Sequence, residues 1–472
     1  MKRFAAIDQG TTSTRGYVLD ESGTGGIVCS RKHRQIYPQT GWVEHDPEEL
    51  LGNVLKCIEA AGVVDAIGIA NQGESCLAWH AETGEAISPV LVWQDRRTES
   101  TIARLKSDGA EELTLAKAGL PLDPYFSASK LAWILQNIPE ARILLAQGKL
   151  RLGTTDAFFI DRLTGNYTTD ITTASRTSLV NLETGQWDSE LCDLFGIPLE
   201  ILPEIKPTMS DFGTVHVRER HIRLTACVVD QQASLFGHGC RNTGDEKITF
   251  GTGAFALATT GSAIVRAPEK GLLPTVAWQQ SGKPAVFALD GGVYSAASAL
   301  NWARSLGLFN NFAEINAFDA PPAISRNLAF VPALTGLGCP HWDGSAAGMW
   351  IGLSLDTTAI NMVQSILEGV AFRAAEVIDA MQQLTPVGQT ISIDGGLSNN
   401  PWFCQFLADV LQKTITVQSG GELTAFGTAM MAAGHFNFNQ MQNTQRISYD
   451  PQAIHIDGKA LFSKAVSRCR NW

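Results

Sequence analysis

At 472 residues the chain is long enough for two domains. With 44% hydrophobic and 18% charged residues it has the balance of an ordinary globular protein, with material for two cores. A formal charge of −11 argues against general nucleic-acid binding, which needs clustered Lys and Arg, and no run of eighteen uncharged apolar residues offers a membrane span.

The N-terminus, MKRFAAIDQG, reaches Asp8 after too few apolar residues for a signal-peptide core, so the cytosol is the expected compartment. The nine cysteines are scattered and never form a CxxC pair, the pattern of reduced thiols without zinc spacing. Residues 4–8, 16–19 and 26–30 read as a strand meander punctuated by Gly and Ser. A helix follows HDPEELL: Asp46 caps it, Pro47 fits its first position, Glu48 and Glu49 suit its positive end, and Leu51, Val54, Leu55 and Ile58 share one face. A strand is expected over 63–70, ending in NQGES, then helices over 129–137 and 139–146. TACVVD reads as another buried strand, 358–383 as a long helix, ISIDGG as a strand and turn, and 400–411 as a helix. Such alternation indicates α/β architecture. IDQGTTSTRG and VVDQQASLFG echo each other, each delivering an Asp-Gln pair, Asp8 and Asp230, into a turn; the echo suggests two similar halves meeting at a cleft, with their boundary near residue 240.

Three segments could meet phosphates through backbone N–H groups in tight turns: GTTSTR (10–15), FGTGAF (250–255) and DGGLSNN (394–400). Each by itself is also an ordinary Gly-rich turn. No GxxxxGK[ST] occurs, and GTGAFA fits the dinucleotide pattern GxGxxA without the βαβ unit and acid that would support it. A nicotinamide oxidoreductase and a nucleotide-driven switch are the rival readings. Asp8 and Asp230 are strand-end carboxylates that could hold Mg²⁺ or accept a proton from a hydroxyl. Gln72, Glu74, Trp93, Asp95 and Tyr125 offer the amides, carboxylates and aromatic faces that suit a polyhydroxy ligand; each aromatic could equally be core.

AIDQGTTSTR, GWVEHDP, NQGES, VWQDRRT, DPYFSASKLAWIL, TTASRT, DQQASLFG, FGTGAF, PALTGLGCPHWD and DGGLSNN, in this order, make the chain resemble the FGGY carbohydrate kinases, and within them the glycerol kinases. The resemblance implies an α/β fold of two duplicated actin-like (ribonuclease-H-like) domains, 1–239 and 240–472, with ATP and substrate in the central cleft. It implies Asp230 as general base, with Asp8 and Asp230 at Mg²⁺. Thr11, Thr12, Ser13, Arg15, Gly251 and Thr252 would face the ATP phosphates, and Asn301, Gly396 and Asn400 the adenosine. Glu74, Trp93, Tyr125, Asp230, Gln231 and Phe255 would form the acceptor pocket. A homodimer is the assembly that family analogy implies.

Three positions depart from the glycerol kinase pattern. Asn301 replaces Gln and Ala297 replaces Gly. Gly73 replaces the Arg that contacts glycerol, a charged donor whose loss costs about 1.5–3 kcal/mol. The expected acceptor is therefore glycerol, a longer polyol or a short ketose, and a sensor without catalysis is a further alternative.

Overall fold

The computed structural model describes residues 1–418, 422–434, 446–452 and 458–470. Two large sheets organise them. The first contains β1 (Arg3–Gln9), β2 (Ser13–Asp20), β3 (Gly25–Lys32), β4 (Ala66–Asn71), β5 (Gly213–Val217) and β6 (Arg220–Val229), in the order β5-β6-β4-β1-β2-β3. The second contains β7 (Glu246–Phe250), β8 (Ala254–Gly261), β9 (Leu273–Trp278), β10 (Val286–Val293), β11 (Thr390–Gly395), β12 (Thr414–Gln418) and β13 (Arg446–Tyr449), in the order β9-β10-β8-β7-β11-β12-β13. The helices that position the site are α1 (Pro47–Ala60), α2 (Thr155–Thr164), α3 (Asp230–Gly237), α4 (Ala297–Ser305), α5 (Ala359–Gln382), α6 (Pro401–Leu411) and α7 (Leu423–Ala433).

The two sheets repeat one plan. β1 pairs antiparallel with β2 and parallel with β4, which pairs parallel with β6. β7 pairs antiparallel with β8 and parallel with β11, which pairs parallel with β12. The counterpart of β1 is therefore β7. The Asp-Gln echo points elsewhere, and here the structure corrects the sequence reading. Asp8 lies near the end of β1 and Asp230 directly after β6, strands of the same sheet separated only by β4. After Asp8 the chain makes a hairpin, whereas Asp230 opens helix α3. The duplication is real, but the similar letters are not its copies.

β1 is apolar throughout its middle because helices cover both faces of its sheet. Ala5 and Ile7 pack with Leu50 and Val54 of α1 and Phe158 of α2, whereas Ala6 meets Leu423, Phe426 and Ala429 of α7. Helix α7 thus comes from the second half of the sequence to close the first sheet. It crosses α3 backbone to backbone: a Cβ at Gly427 would lie 2.0 Å from the Ala233 carbonyl oxygen, and one at Gly237 2.1 Å from that of Leu423. Only glycine permits this approach.

Local signals were mostly honoured. Asp46 caps α1 by accepting from the N–H groups of Glu48 and Glu49, at 2.9 and 3.2 Å. β4 begins at Ala66, later than expected, because Asp65 is engaged with Arg3: its carboxylate accepts the Arg3 N–H at 2.8 Å and Val63 is left exposed.

Candidate active site

Parallel strands end together, so their carboxyl ends form a natural crevice. At that end of the first sheet, Gln9 of β1 pairs in register with Asn71 of β4, and Asn71 with Val229 of β6. The segments that follow carry Gly10–Ser13, Gly73–Glu74 and Asp230. In the second sheet Phe250 of β7 pairs with Gly395 of β11, which brings the turns after them side by side.

The acceptor candidates converge. Trp93 and Tyr125 meet edge to face, with ring centroids 5.5 Å apart. Glu74 is buried with φ +59°, a left-handed backbone that a bulky residue adopts only when its surroundings enforce it. Ser127 donates to its carbonyl at 2.9 Å. Its carboxylate accepts the Nε–H of Arg176 at 2.6 Å, and Arg176 Nη1 lies 3.1 Å from Asp290 of β10. At Gly73 an added Cβ would meet only the Val229 side chain, at 3.1 and 3.7 Å, so the position makes no backbone demand for glycine and only Val229 would have to give way.

Asp230 is the first residue of α3 and accepts the Gln231 N–H at 2.6 Å. Burial raises its pKa to about 6, Glu74 pushes in the same direction, and the Gln231 N–H, Lys247 and Arg176 oppose the rise. Burial raises Asp8 to about 7, with the Asp230 charge adding to it and Arg15 pulling it back. Gln231 accepts from Lys247 Nζ at 2.6 Å through Oε1. Lys247 also donates to Thr249 at 2.8 Å and is fully buried on β7. Phe255 lies half-buried on β8, where its ring would touch a Cβ at Gly292.

The phosphate-side candidates are built differently. Gly10 N–H donates to the Ser13 carbonyl at 3.0 Å, closing the β1–β2 turn. Thr11 accepts Trp93 Nε1–H at 3.0 Å, which ties this turn to the acceptor aromatics. Arg15 reaches Glu422, just before α7, at 2.7 Å. The carbonyls of Gly251 and Thr252 accept N–H groups at the start of α4, at 3.1 Å from Ala297 and 2.9 Å from Ala296. Thr12, Thr252, Asn301 and Gly396 are exposed. Gly395 needs its glycine: at φ +89° a Cβ would lie 2.3 Å from the Phe250 carbonyl oxygen.

Two candidate side chains are spent elsewhere. Asn400 caps α6, its Oδ1 accepting from Phe403 N–H at 2.9 Å while its Nδ2–H donates to Ile315 O at 2.8 Å. Asp95 accepts the Val43 N–H at 2.7 Å and pairs at 2.8 Å with Arg97, whose guanidinium stacks on Trp42. It is a structural clamp. Gln72 likewise lies in a buried cluster with Gln9 and His45.

Arg176, Lys247, Asp290 and Glu422 were missed. Arg176 could have been noticed as the single charge in an otherwise uncharged run, TTASRTSLV; Lys247 directly follows Asp245 and Glu246 and does not stand out. Asp290 and Glu422 offer no local signal.

Mg²⁺ accepts one or two carboxylates and fills its remaining positions with water and phosphate oxygens. Asp8 and Asp230 fit that demand, because two half-buried carboxyl groups that resist ionising together gain from a shared divalent cation. Among the described residues no three His, Cys, Asp or Glu side chains converge as a protein-only metal cage.

The N-terminal domain model of the FGGY family of carbohydrate kinases matches residues 4–237, and its C-terminal domain model matches 247–435. A glycerol kinase of Haloarcula marismortui is 37% identical over 99% of this chain and 98% of its own. One of Thermus brockianus is 39% identical over 100% of this chain and 99% of its own. The crystal structure of Plasmodium falciparum glycerol kinase with ADP superposes with a TM-score of 0.91 at 29% identity, covering 99% of this chain and 98% of that one. A xylulose kinase of Lactobacillus acidophilus shares the fold, at 22% identity and a TM-score of 0.85 over 99% and 97% of the two chains.

Proposed function

The chain belongs to the FGGY family of carbohydrate kinases, and on that premise we propose that it transfers the γ-phosphoryl group of ATP to a hydroxyl of a small polyol, glycerol foremost. The observation that carries the reading is one arrangement. Asp230 opens α3 at the carboxyl end of the first sheet, in electrostatic contact with Asp8 on one side and Glu74 on the other.

Phosphoryl transfer depends on positioning and on stabilising charge. Asp230 takes the proton from the attacking hydroxyl; a folded-state pKa of about 6 leaves it largely ionised near neutrality while keeping it a better base than an exposed carboxylate. Glu74, Gln231, Trp93, Tyr125 and Phe255 orient the polyol, with the aromatic faces on its C–H surface. The turn at Thr11, Thr12 and Ser13, with Arg15, receives the phosphates from the first lobe. Gly251 and Thr252 receive them from the second, and Asn301 and Gly396 line the nucleoside end, the Asn400 amide being committed to capping α6. Asp8 and Asp230 would hold Mg²⁺, which when bound neutralises charge on the transferring group. We assign the acceptor and phosphate side to residues 1–239 and the nucleotide side to 240–472, with α7 the exception that returns to the first sheet.

The test is ADP release from ATP against glycerol, four-carbon and five-carbon polyols and short ketoses. Polyol-dependent release that chelation abolishes is expected. Release that ignores every acceptor would refute the reading. A preference for a longer polyol would locate its cause at Gly73, where no side chain projects and an added Cβ meets only Val229.

A further inference from the structure

We infer that Arg176 binds an acceptor hydroxyl directly, through N–H donors that its two carboxylate partners leave unfilled. The inference rests on the polyol kinase reading above and adds to it a residue from a segment that reading does not use.

Arg176 follows the short helix Ile171–Ala174 and its side chain is 4% exposed. A buried guanidinium has five N–H donors in a planar fork, and each one left empty costs stability. Here Nε–H is committed to Glu74 at 2.6 Å. Nη1 lies 3.1 Å from Asp290 Oδ2 but makes no well-aligned hydrogen bond with any described residue. The remainder of the fork lies beside two rings, with its carbon 5.7 Å from the centroid of Tyr125 and 5.5 Å from that of Phe126. The Tyr125 hydroxyl also takes a hydrogen bond from the guanidinium, which leaves Nη1 as the donor without a well-aligned partner among the described residues; in a wall made of Glu74, Tyr125 and Asp290 it suits a ligand rich in hydroxyl oxygens. A hydroxyl there accepts from Arg176 while donating to Glu74 or Asp290, the paired exchange that a polyol hydroxyl offers. Two carboxylates hold the fork from both sides, Glu74 from the first sheet's crevice and Asp290 from the second sheet, so the donor is rigid before the ligand arrives.

The alternative role is a clamp that merely positions Glu74. The experiment must separate the two. KM values for glycerol, propane-1,2-diol and propane-1,3-diol are measured at saturating ATP in wild type, Arg176→Gln and Arg176→Lys, with melting temperature and KM for ATP alongside. Arg176→Gln should raise KM for glycerol by about tenfold to a hundredfold, the worth of one charged hydrogen bond. Arg176→Lys should fall between and covers the case in which Gln fails to fold. KM for ATP should move by no more than about twofold, as a change confined to the acceptor demands. The decisive readout is discrimination: the wild-type preference for glycerol over one of the two propanediols should collapse in the variants, because the missing hydroxyl and the missing donor are the same interaction. Folded variants that keep the wild-type glycerol KM overturn the inference. So do variants that lose affinity for all three acceptors equally, which would make Arg176 a positioning residue. Absence of polyol-dependent ADP release in the wild type would refute the kinase reading itself, an outcome distinct from either.

Discussion

The two ends of the crevice are built from different materials. The acceptor end is a set of buried and half-buried charges, Glu74, Arg176, Asp230, Lys247 and Asp290, in which Arg176 joins Glu74, 102 residues away in sequence, to Asp290 of the second sheet. The nucleotide end is backbone. Its turns at Gly10–Ser13, Gly251–Gly253 and Gly395–Asn400 are rich in glycine, leave Thr12, Thr252 and Gly396 exposed, and offer peptide groups. The difference fits the two ligands. Phosphates share one shape and one charge, which N–H groups in tight turns can meet in any such enzyme. A polyol differs from its competitors by single hydroxyls, and rigid, desolvated partners discriminate best among these.

Asp230→Asn should break the acceptor end while leaving the nucleotide end standing. Turnover should fall by about 10²–10⁴, with ATP-Mg binding retained by calorimetry; equal loss of both would show that the two ends are not separable. The next effect tests the backbone end. Gly395→Ala forces a Cβ to 2.3 Å from the Phe250 carbonyl at φ +89° and should cost about 1–3 kcal/mol or more, read as a lower melting temperature and weaker ATP binding. Gly73→Ala, whose Cβ meets only a Val229 methyl at 3.1 Å, should be tolerated. Comparable damage from both would erase the contrast.

A third test compares paired with unpaired buried charge. Glu246, at the opposite end of β7 from the crevice, has both carboxylate oxygens buried without a hydrogen-bond partner, and burial raises it to about 8 against a slight pull from Lys413. A carboxyl whose folded pKa lies above its unfolded one favours the native state while protonated. That contribution is full below the unfolded value near 4.5 and is lost as pH climbs towards 8. Glu246→Gln should therefore gain stability relative to wild type between pH 6 and 8.5 in urea titrations, and little at pH 4.5; a pH-independent difference would reject the burial argument. The smallest effect concerns the link between the two ends. Trp93→Phe keeps the ring against Tyr125 and removes the N–H bond to Thr11, so KM for ATP should rise by about twofold to tenfold.

The crevice was half legible in advance. The backbone end announces itself in glycine-rich turns after apolar strands, since a turn's geometry is written in adjacent residues. Asp8 and Asp230 were legible as strand-end carboxylates, yet their similar flanks suggested equivalent places in two lobes, and they belong to one sheet. Asn400 and Asp95 carried suitable chemistry for ligands and serve as a cap and a clamp.

What the residues alone decided is what neighbours in sequence can decide: the capped amphipathic α1, the apolar β1, the hairpin turns and the order of the motifs, all governed by periodicity and local hydrogen bonding. The tertiary structure alone decided which strands correspond between the sheets, that α7 returns to cover the first of them, and that Glu74, Arg176 and Asp290 share one buried wall. The physical reason is that burying a charge costs least beside a partner, and for Glu74, Arg176 and Asp290 the partners are supplied by segments far apart along the chain.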